Sequence, residues 1–206
     1  MSDLIVIADK AAEALHYGQT RKGNGRPYIE HPRAVMVQMR YELRCDSVTL
    51  AAALLHDVIE DCDVTPALLC RFLVEGYHAI NTAGGARPID AAMVAELVWQ
   101  CTSLDKEFPV LKTLKRAERK EIQRRRLHYV SHQAVLIKIY DRCHNLSDMK
   151  GTDIDFQRLY LEESKLLFDE AEVALGVFGS FPDSHVDLAL ETAQTNIAQA
   201  ERGSKP

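Results

Sequence analysis

The segment Ala51–Asp61 reads AAALLHDVIED and sets four ionisable side chains at the end of an apolar run. Leu50 to Leu55 are all apolar; His56 and Asp57 follow, then Val58 and Ile59, then Glu60 and Asp61. On a helix, side chains three and four residues apart are neighbours. Glu60 then shares a face with His56 and Asp57, and Asp61 with Asp57. Burying such groups is costly unless they are paired or bind a metal. Two readings are open at this point: a helix end that meets solvent through an acidic cluster, or a ligand set.

A second segment, Val135–Met149, reads VLIKIYDRCHNLSDM. Asp141 interrupts an otherwise buried-looking helix, and Asn145 lies one turn later. Either this is a core helix whose polar face meets solvent, or Asp141 supplies another metal oxygen with Asn145 beside it. His31, next to Pro32, adds an imidazole. Together His31, His56, Asp57 and Asp141 offer two imidazoles and two carboxylates from three helices. Mixed nitrogen and oxygen ligation of this kind suits Mn²⁺, Fe²⁺ or Zn²⁺.

Three segments, Arg21–Pro32 (RKGNGRPYIEHP), His56–Asp61 (HDVIED) and Lys138–Leu146 (KIYDRCHNL), resemble the HD hydrolase domain of RelA/SpoT homologues. The likeness runs from about Leu4 to Met149, with the motifs in that family's order and spacing. His-Asp alone is a weak signal, whereas the three motifs together are specific. The chain ends where the long bifunctional proteins would begin a synthetase domain. The resemblance is therefore to the small stand-alone alarmone hydrolases.

That resemblance implies a role for each matched residue. His31, His56, Asp57 and Asp141 fall on positions that bind one Mn²⁺. Glu60 and Asp61 fall on the acidic pair that serves catalysis, and Arg21, Lys22 and Asn145 on positions that hold the nucleotide. The implied reaction removes the 3′-pyrophosphate of guanosine or adenosine 3′,5′-bis(diphosphate), giving GDP or ADP and pyrophosphate. Other outcomes within the same chemistry are an HD-type nucleotidase or an NADPH 2′-phosphatase. A nucleotide-binding signalling module without catalysis is a further alternative, against which the six intact site residues count. The sequence departs from the family pattern in three places: one extra residue in the loop before His31, Asp148 where the long proteins often have Thr, and a longer Asn81–Pro88 segment.

The elements that must position these residues read as helices almost throughout. Apolar positions recur with a helical period, and β-branched runs are short. Asp3–Tyr17 reads as an amphipathic helix stopped by Gly18. Arg21–Tyr28 holds two glycines and a proline and reads as a loop. Pro32 suits the first position of a helix, where no N–H is needed, which places His31 at a loop–helix junction. Asp46 or Ser47 can cap the helix through Leu50 to Glu60, and Thr65-Pro66 starts the next. Asn81–Pro88 (NTAGGARP) reads as a surface loop. Helices are expected over Pro88–Cys101, Pro109–Tyr129, Ser131–Met149, Asp155–Leu175 and Asp183–Glu201, with the terminal RGSKP frayed. The expected fold is an all-α bundle of about eight or nine helices. Residues 1–150 form the hydrolase core, and 151–206 supply C-terminal helices packed on the same domain.

Composition excludes several classes. The 206 residues fit one domain, or one domain with a helical extension. A net charge of −5 weighs against a dedicated nucleic-acid binder. Lys106–Arg126, with nine Lys/Arg against three Glu, reads as a solvated helix face or as a wall facing phosphates. Five cysteines form no C-x-x-C pair, so neither a disulfide framework nor a cysteine zinc site is expected. No signal peptide is evident, and no apolar stretch approaches the roughly 20 residues that span a bilayer. The expectation is a soluble cytoplasmic protein whose partner is a small-molecule nucleotide, not a nucleic acid or a membrane. Nothing in the sequence bears on oligomeric state.

Overall fold

The computed structural model describes residues 2–80, 88–149, 152–178 and 183–203. Among them every regular element is helical: eleven α-helices and two 3₁₀ turns. Two compact units emerge: residues 2–20 with 27–102, and residues 21–26 with 103 onward. Residues 81–87, most of the expected surface loop, and 204–206 of the expected frayed end lie outside the described residues.

The first unit holds α1 (Asp3–Leu15), α2 (Glu30–Leu43), α3 (Ser47–Leu55), α4 (Val58–Asp61), α5 (Pro66–Ile80) and α6 (Pro88–Cys101). Its centre is α3, against which α1, α2 and α6 pack. Ala51 to Leu55 are each fully buried, as expected for a helix apolar on every side. Nine residues are too few for a stable isolated helix, so α3 owes its stability to that packing. Asp46 caps it, its carboxylate accepting from the Thr49 N–H at 2.8 Å. Gly76 lets α5 close on α1: a Cβ there would meet Ile7 Cγ2 at 2.7 Å. Arg33 makes a fork with both Asp9 oxygens, at 2.6 and 2.9 Å, which ties α2 to α1 one turn after its start.

Two boundaries differ from the sequence expectation. The helix expected through Glu60 breaks at His56 and Asp57, which form the turn between α3 and α4. Nothing in the apolar run marks that break, because both residues keep right-handed backbone angles. His31 is the second residue of α2 rather than its junction, so Pro32 sits inside the first turn, where its missing N–H still costs no helical bond.

The second unit holds α7 (Leu104–Glu107), α8 (Arg116–Arg125), α9 (His132–Ser147), α10 (Ile154–Phe178) and α11 (Asp183–Gly203). Here α9 is the central element, packed on both α10 and α11. Val135, Leu136, Ile137, Ile139 and Tyr140 are buried along it. Ser131 caps it by accepting from the Ala134 N–H at 3.3 Å. The single helix expected over Pro109–Tyr129 is divided into a 3₁₀ turn, α8 and a second 3₁₀ turn. The division follows from Leu114 and Lys115, which are extended, and from Glu118, whose carboxylate caps the Lys115 N–H at 2.9 Å. No helix among the described residues is long and apolar enough to cross a membrane. No two of the five cysteines form a disulfide.

Candidate functional site

In the first unit, His31, His56 and Asp57 converge. Each offers a ligand atom within 4.8 Å of the others. His56 Nε2 lies 3.1 Å from Asp57 Oδ2, and His31 Nε2 lies 3.6 Å from the same oxygen. Both imidazoles are almost wholly buried, and the Asp57 side chain is 14% exposed. The two rings meet edge to face with centroids 5.2 Å apart. The α3–α4 break is what aims these groups: His56 ends the buried helix and Asp57 begins the next turn, so the carboxylate leaves the apolar stem at once.

His56 Nδ1 lies 2.8 Å from the Ala53 carbonyl oxygen. A carbonyl only accepts, so Nδ1 carries the proton and, in the neutral ring, Nε2 carries the lone pair. That lone pair faces a carboxylate oxygen. Two acceptors in this arrangement are favourable only with a cation between them, either a proton or a metal. Burial opposes ionisation of Asp57, yet the His56 and His31 imidazoles outweigh it and hold the carboxyl well below the usual range. A carboxylate kept ionised beside two buried imidazoles is a donor set that fits a divalent cation.

Tyr28 supports this group in a way its sequence context does not reveal. Its hydroxyl donates to Asp57 Oδ2 at 2.6 Å. Its ring lies 4.7 Å from that of His16, which is itself held by Gln19 at 2.8 Å through Nδ1. The one sequence signal was the tyrosine three residues before His31. Glu60, on α4, is half-buried, and Asp61 is exposed.

In the second unit, the end of α9 carries a continuous polar chain. Asn145 Nδ2 donates to Asp141 Oδ1 at 2.6 Å. Arg21 Nη2 donates to Asn145 Oδ1 at 2.6 Å, and its Nε to Asp148 Oδ2 at 3.1 Å. Asn24 Nδ2 completes the chain on Asp148 Oδ1 at 2.7 Å. The Arg21–Arg26 hairpin is closed by its own backbone bonds, Arg21 N–H to the Arg26 carbonyl and Gly25 N–H to the Arg21 carbonyl. Gly25 takes a φ of 71°, which glycine adopts without strain. Arg21 and Asn145 are thus joined 124 positions apart, while Lys22 is exposed. Asp148, a departure from the family pattern, is the residue that anchors the hairpin.

The first unit therefore gathers His31, His56 and Asp57, and the second gathers Arg21, Asp141 and Asn145. Comparison with known proteins places these groups in context. A profile of the HD domain family matches residues 8–177, from α1 through α10. The guanosine-3′,5′-bis(diphosphate) 3′-pyrophosphohydrolase of Vibrio cholerae is 34% identical over 210 residues, covering 94% of this chain and 26% of that protein. The chain thus spans about a quarter of the length of such bacterial relatives. The guanosine-3′,5′-bis(diphosphate) 3′-pyrophosphohydrolase MESH1 of Homo sapiens is 35% identical over 150 residues, covering 72% of this chain and 70% of that protein. A solved structure, described as a metazoan ortholog of SpoT that hydrolyses ppGpp, superposes with a TM-score of 0.69 at 23% identity. It covers 95% of this chain and 96% of that one. At that identity the likeness concerns the all-α fold.

Proposed function

The chain belongs to the HD domain family, and from that premise we propose that it hydrolyses the 3′-pyrophosphate of guanosine 3′,5′-bis(diphosphate), or its adenosine counterpart. The products are GDP or ADP and pyrophosphate. One observation carries the reading: His31, His56 and Asp57 converge in an HD-domain chain whose relatives are named for this reaction. Asp141 is proposed as the fourth ligand, and Mn²⁺ as the metal.

Such a cation, when bound, neutralises charge on the phosphoryl group and lowers the pKa of water. The chain's own residues do the rest. The His56 Nδ1–H bond to Ala53 fixes the tautomer that leaves Nε2 a donor atom. Tyr28 holds Asp57 Oδ2 and so orients the carboxylate. Glu60 and Asp61 follow Asp57 on α4 and are assigned to water activation and to protonation of the leaving oxygen. Water oxygen joins the phosphorus attached to the 3′-oxygen while the P–O3′ bond breaks. The proton lost by water goes to the acidic pair, and the 3′-oxygen departs as a hydroxyl. Arg21, Lys22 and Asn145 are assigned to the nucleotide, with Arg21 preset by Asn145 and Asp148. A small nucleotide is the only partner this reading needs, and a cytoplasmic location suits it.

The test is direct. Purified full-length chain with Mn²⁺ is incubated with ppGpp, and the products are separated over time. GDP and pyrophosphate as first products are expected. Orthophosphate as the first product, or no turnover with any divalent metal, would overturn the reading.

A further inference from the structure

Within the first unit, α2 and α3 pack on each other and carry His31 and His56 at one end of the pair. At the other end, where α2 stops and α3 starts, lies an open cavity of about 350 Å³. A volume of that order suits a small molecule. Arg40, which lines it, follows His31 by nine positions on α2, roughly 13 Å along the helix axis. The cavity is thus separate from the ligand cluster.

Its apolar lining comes from Ile5 of α1 and Leu50 of α3, both buried. Its polar lining comes from Arg40, Arg44, Ser2 and Ser47. None of these four side chains makes a hydrogen bond or an ion pair with another described residue. No acid lines the cavity. Asp46, next in sequence, accepts from the Thr49 N–H as the cap of α3. Cys45 also lines it; burial, and then the Asp46 charge, push its thiol up to about 11, so it stays neutral and brings in no negative charge.

Either arginine alone would suit the end of α2, where cations are favoured. Together they are harder to explain. Residues four apart are neighbours on a helix, and like charges so placed repel. Arg44 also takes a φ of 49°, a left-handed position at which helices commonly end in glycine. A guanidinium is kept there although the backbone would be less strained without a side chain.

We infer that Arg40 and Arg44, with the Ser2 and Ser47 hydroxyls, form a binding site for the phosphate group of a small molecule. A tetrahedral oxyanion accepts from two guanidinium groups at once, relieves their repulsion and takes hydroxyl donors on its remaining oxygens. The inference is independent of the hydrolytic reading and adds a ligand that the reaction does not use.

The test is a titration of the ¹⁵N-labelled full-length chain with inorganic phosphate, with EDTA present and ionic strength held constant with chloride. Amide shifts locate binding, so occupancy here is read apart from any phosphate at the ligand cluster and apart from turnover. Saturable shifts are expected at Arg44, Cys45 and Ser47. Arg40→Gln and Arg44→Gly should each weaken binding by about tenfold, the scale of a lost charge-assisted hydrogen bond. Arg71→Gln, an exposed change on α5 of the same unit, should leave it unaltered. Arg44→Gly suits the left-handed backbone, so it should keep the fold by circular dichroism and decides the matter if Arg40→Gln unfolds. Absence of saturable shifts at these amides, or equal weakening by Arg44→Gly and Arg71→Gln, would overturn the site.

Discussion

Around Asp57 a negative charge faces two buried imidazole nitrogens and accepts a hydrogen bond from a phenol; around Asp148 it is satisfied by a guanidinium and an amide at the end of α9. The first arrangement is held by packing. His56 sits at the end of α3, whose last five residues are fully buried, and little there can rearrange. The second is held by hydrogen bonds from a hairpin whose Gly23 and Gly25 leave it freer to adjust. Rigid placement suits groups proposed to hold a cation, because loose ligands lose affinity. Adjustable placement suits groups proposed to receive a nucleotide and release it. The same polar chemistry serves two purposes according to the stiffness of what carries it.

Substitutions sharpen the contrast, beginning with the largest effect. His56→Ala should abolish both metal content and turnover, as measured by metal analysis after desalting and by product release. Dialysis of the parent chain against EDTA should do the same, reversibly with Mn²⁺. A His56→Ala chain that retains metal would place the ligand set elsewhere. Glu60→Gln comes next: metal content stays, and kcat falls by about 10²–10⁴, the usual contribution of a positioned acid or base. Near-normal kcat would remove Glu60 from the chemical step.

Tyr28→Phe removes one hydroxyl from Asp57 and leaves the ring on His16. Loss of an outer partner of this kind costs about 10–100-fold in metal affinity, readable by competition with a chelating dye. An unchanged affinity would mean that packing alone orients Asp57. Asp148→Asn acts on the other region. It removes the charge that holds Arg21 while keeping a polar side chain, and a hydrogen bond of about 0.5–1.5 kcal/mol corresponds to a rise in KM of roughly two- to tenfold, with kcat little changed. A fall in kcat with KM constant would move the hairpin into the chemistry. Arg116→Gln should matter least. Its pair with Glu163 is partly exposed, at 45% for Arg116, so thermal unfolding should report about 1 kcal/mol or less.

Much of this was legible in the residues themselves. Helical periodicity gave the all-α class, and Asp46, Thr65 and Ser131 marked helix starts through capping chemistry that is local to a few positions. Three of the proposed ligands, His56, Asp57 and Asp141, stood out because charge in an apolar run is conspicuous. What escaped was of two kinds. Breaks without a breaker residue left no mark, as at His56–Asp57 and at Leu114–Lys115. Helix count rose accordingly, since short elements such as α4 and α7 cannot be told from the ends of longer ones. Long-range pairings were the other kind: Tyr28 with Asp57 lies 29 positions apart and Arg21 with Asp148 lies 127 apart, and no local pattern encodes either.

The Arg21–Arg26 hairpin belongs with residues that come more than a hundred positions later, although its neighbours Thr20 and Pro27 belong to the first unit and bridge to each other. This has a consequence for how the chain is made. A growing polypeptide acquires α1 to α6 early, but the hairpin's anchors, Asn145 and Asp148, leave the ribosome only after most of the chain has been built. The hairpin must wait, closed by its own backbone bonds, until α9 is complete, and its docking carries a large loop-closure entropy. The residues assigned to the nucleotide are therefore among the last to find their places. A nascent chain lacking α9 carries His31, His56 and Asp57 but neither Asn145 nor Asp148, the anchors of the hairpin proposed to receive a substrate.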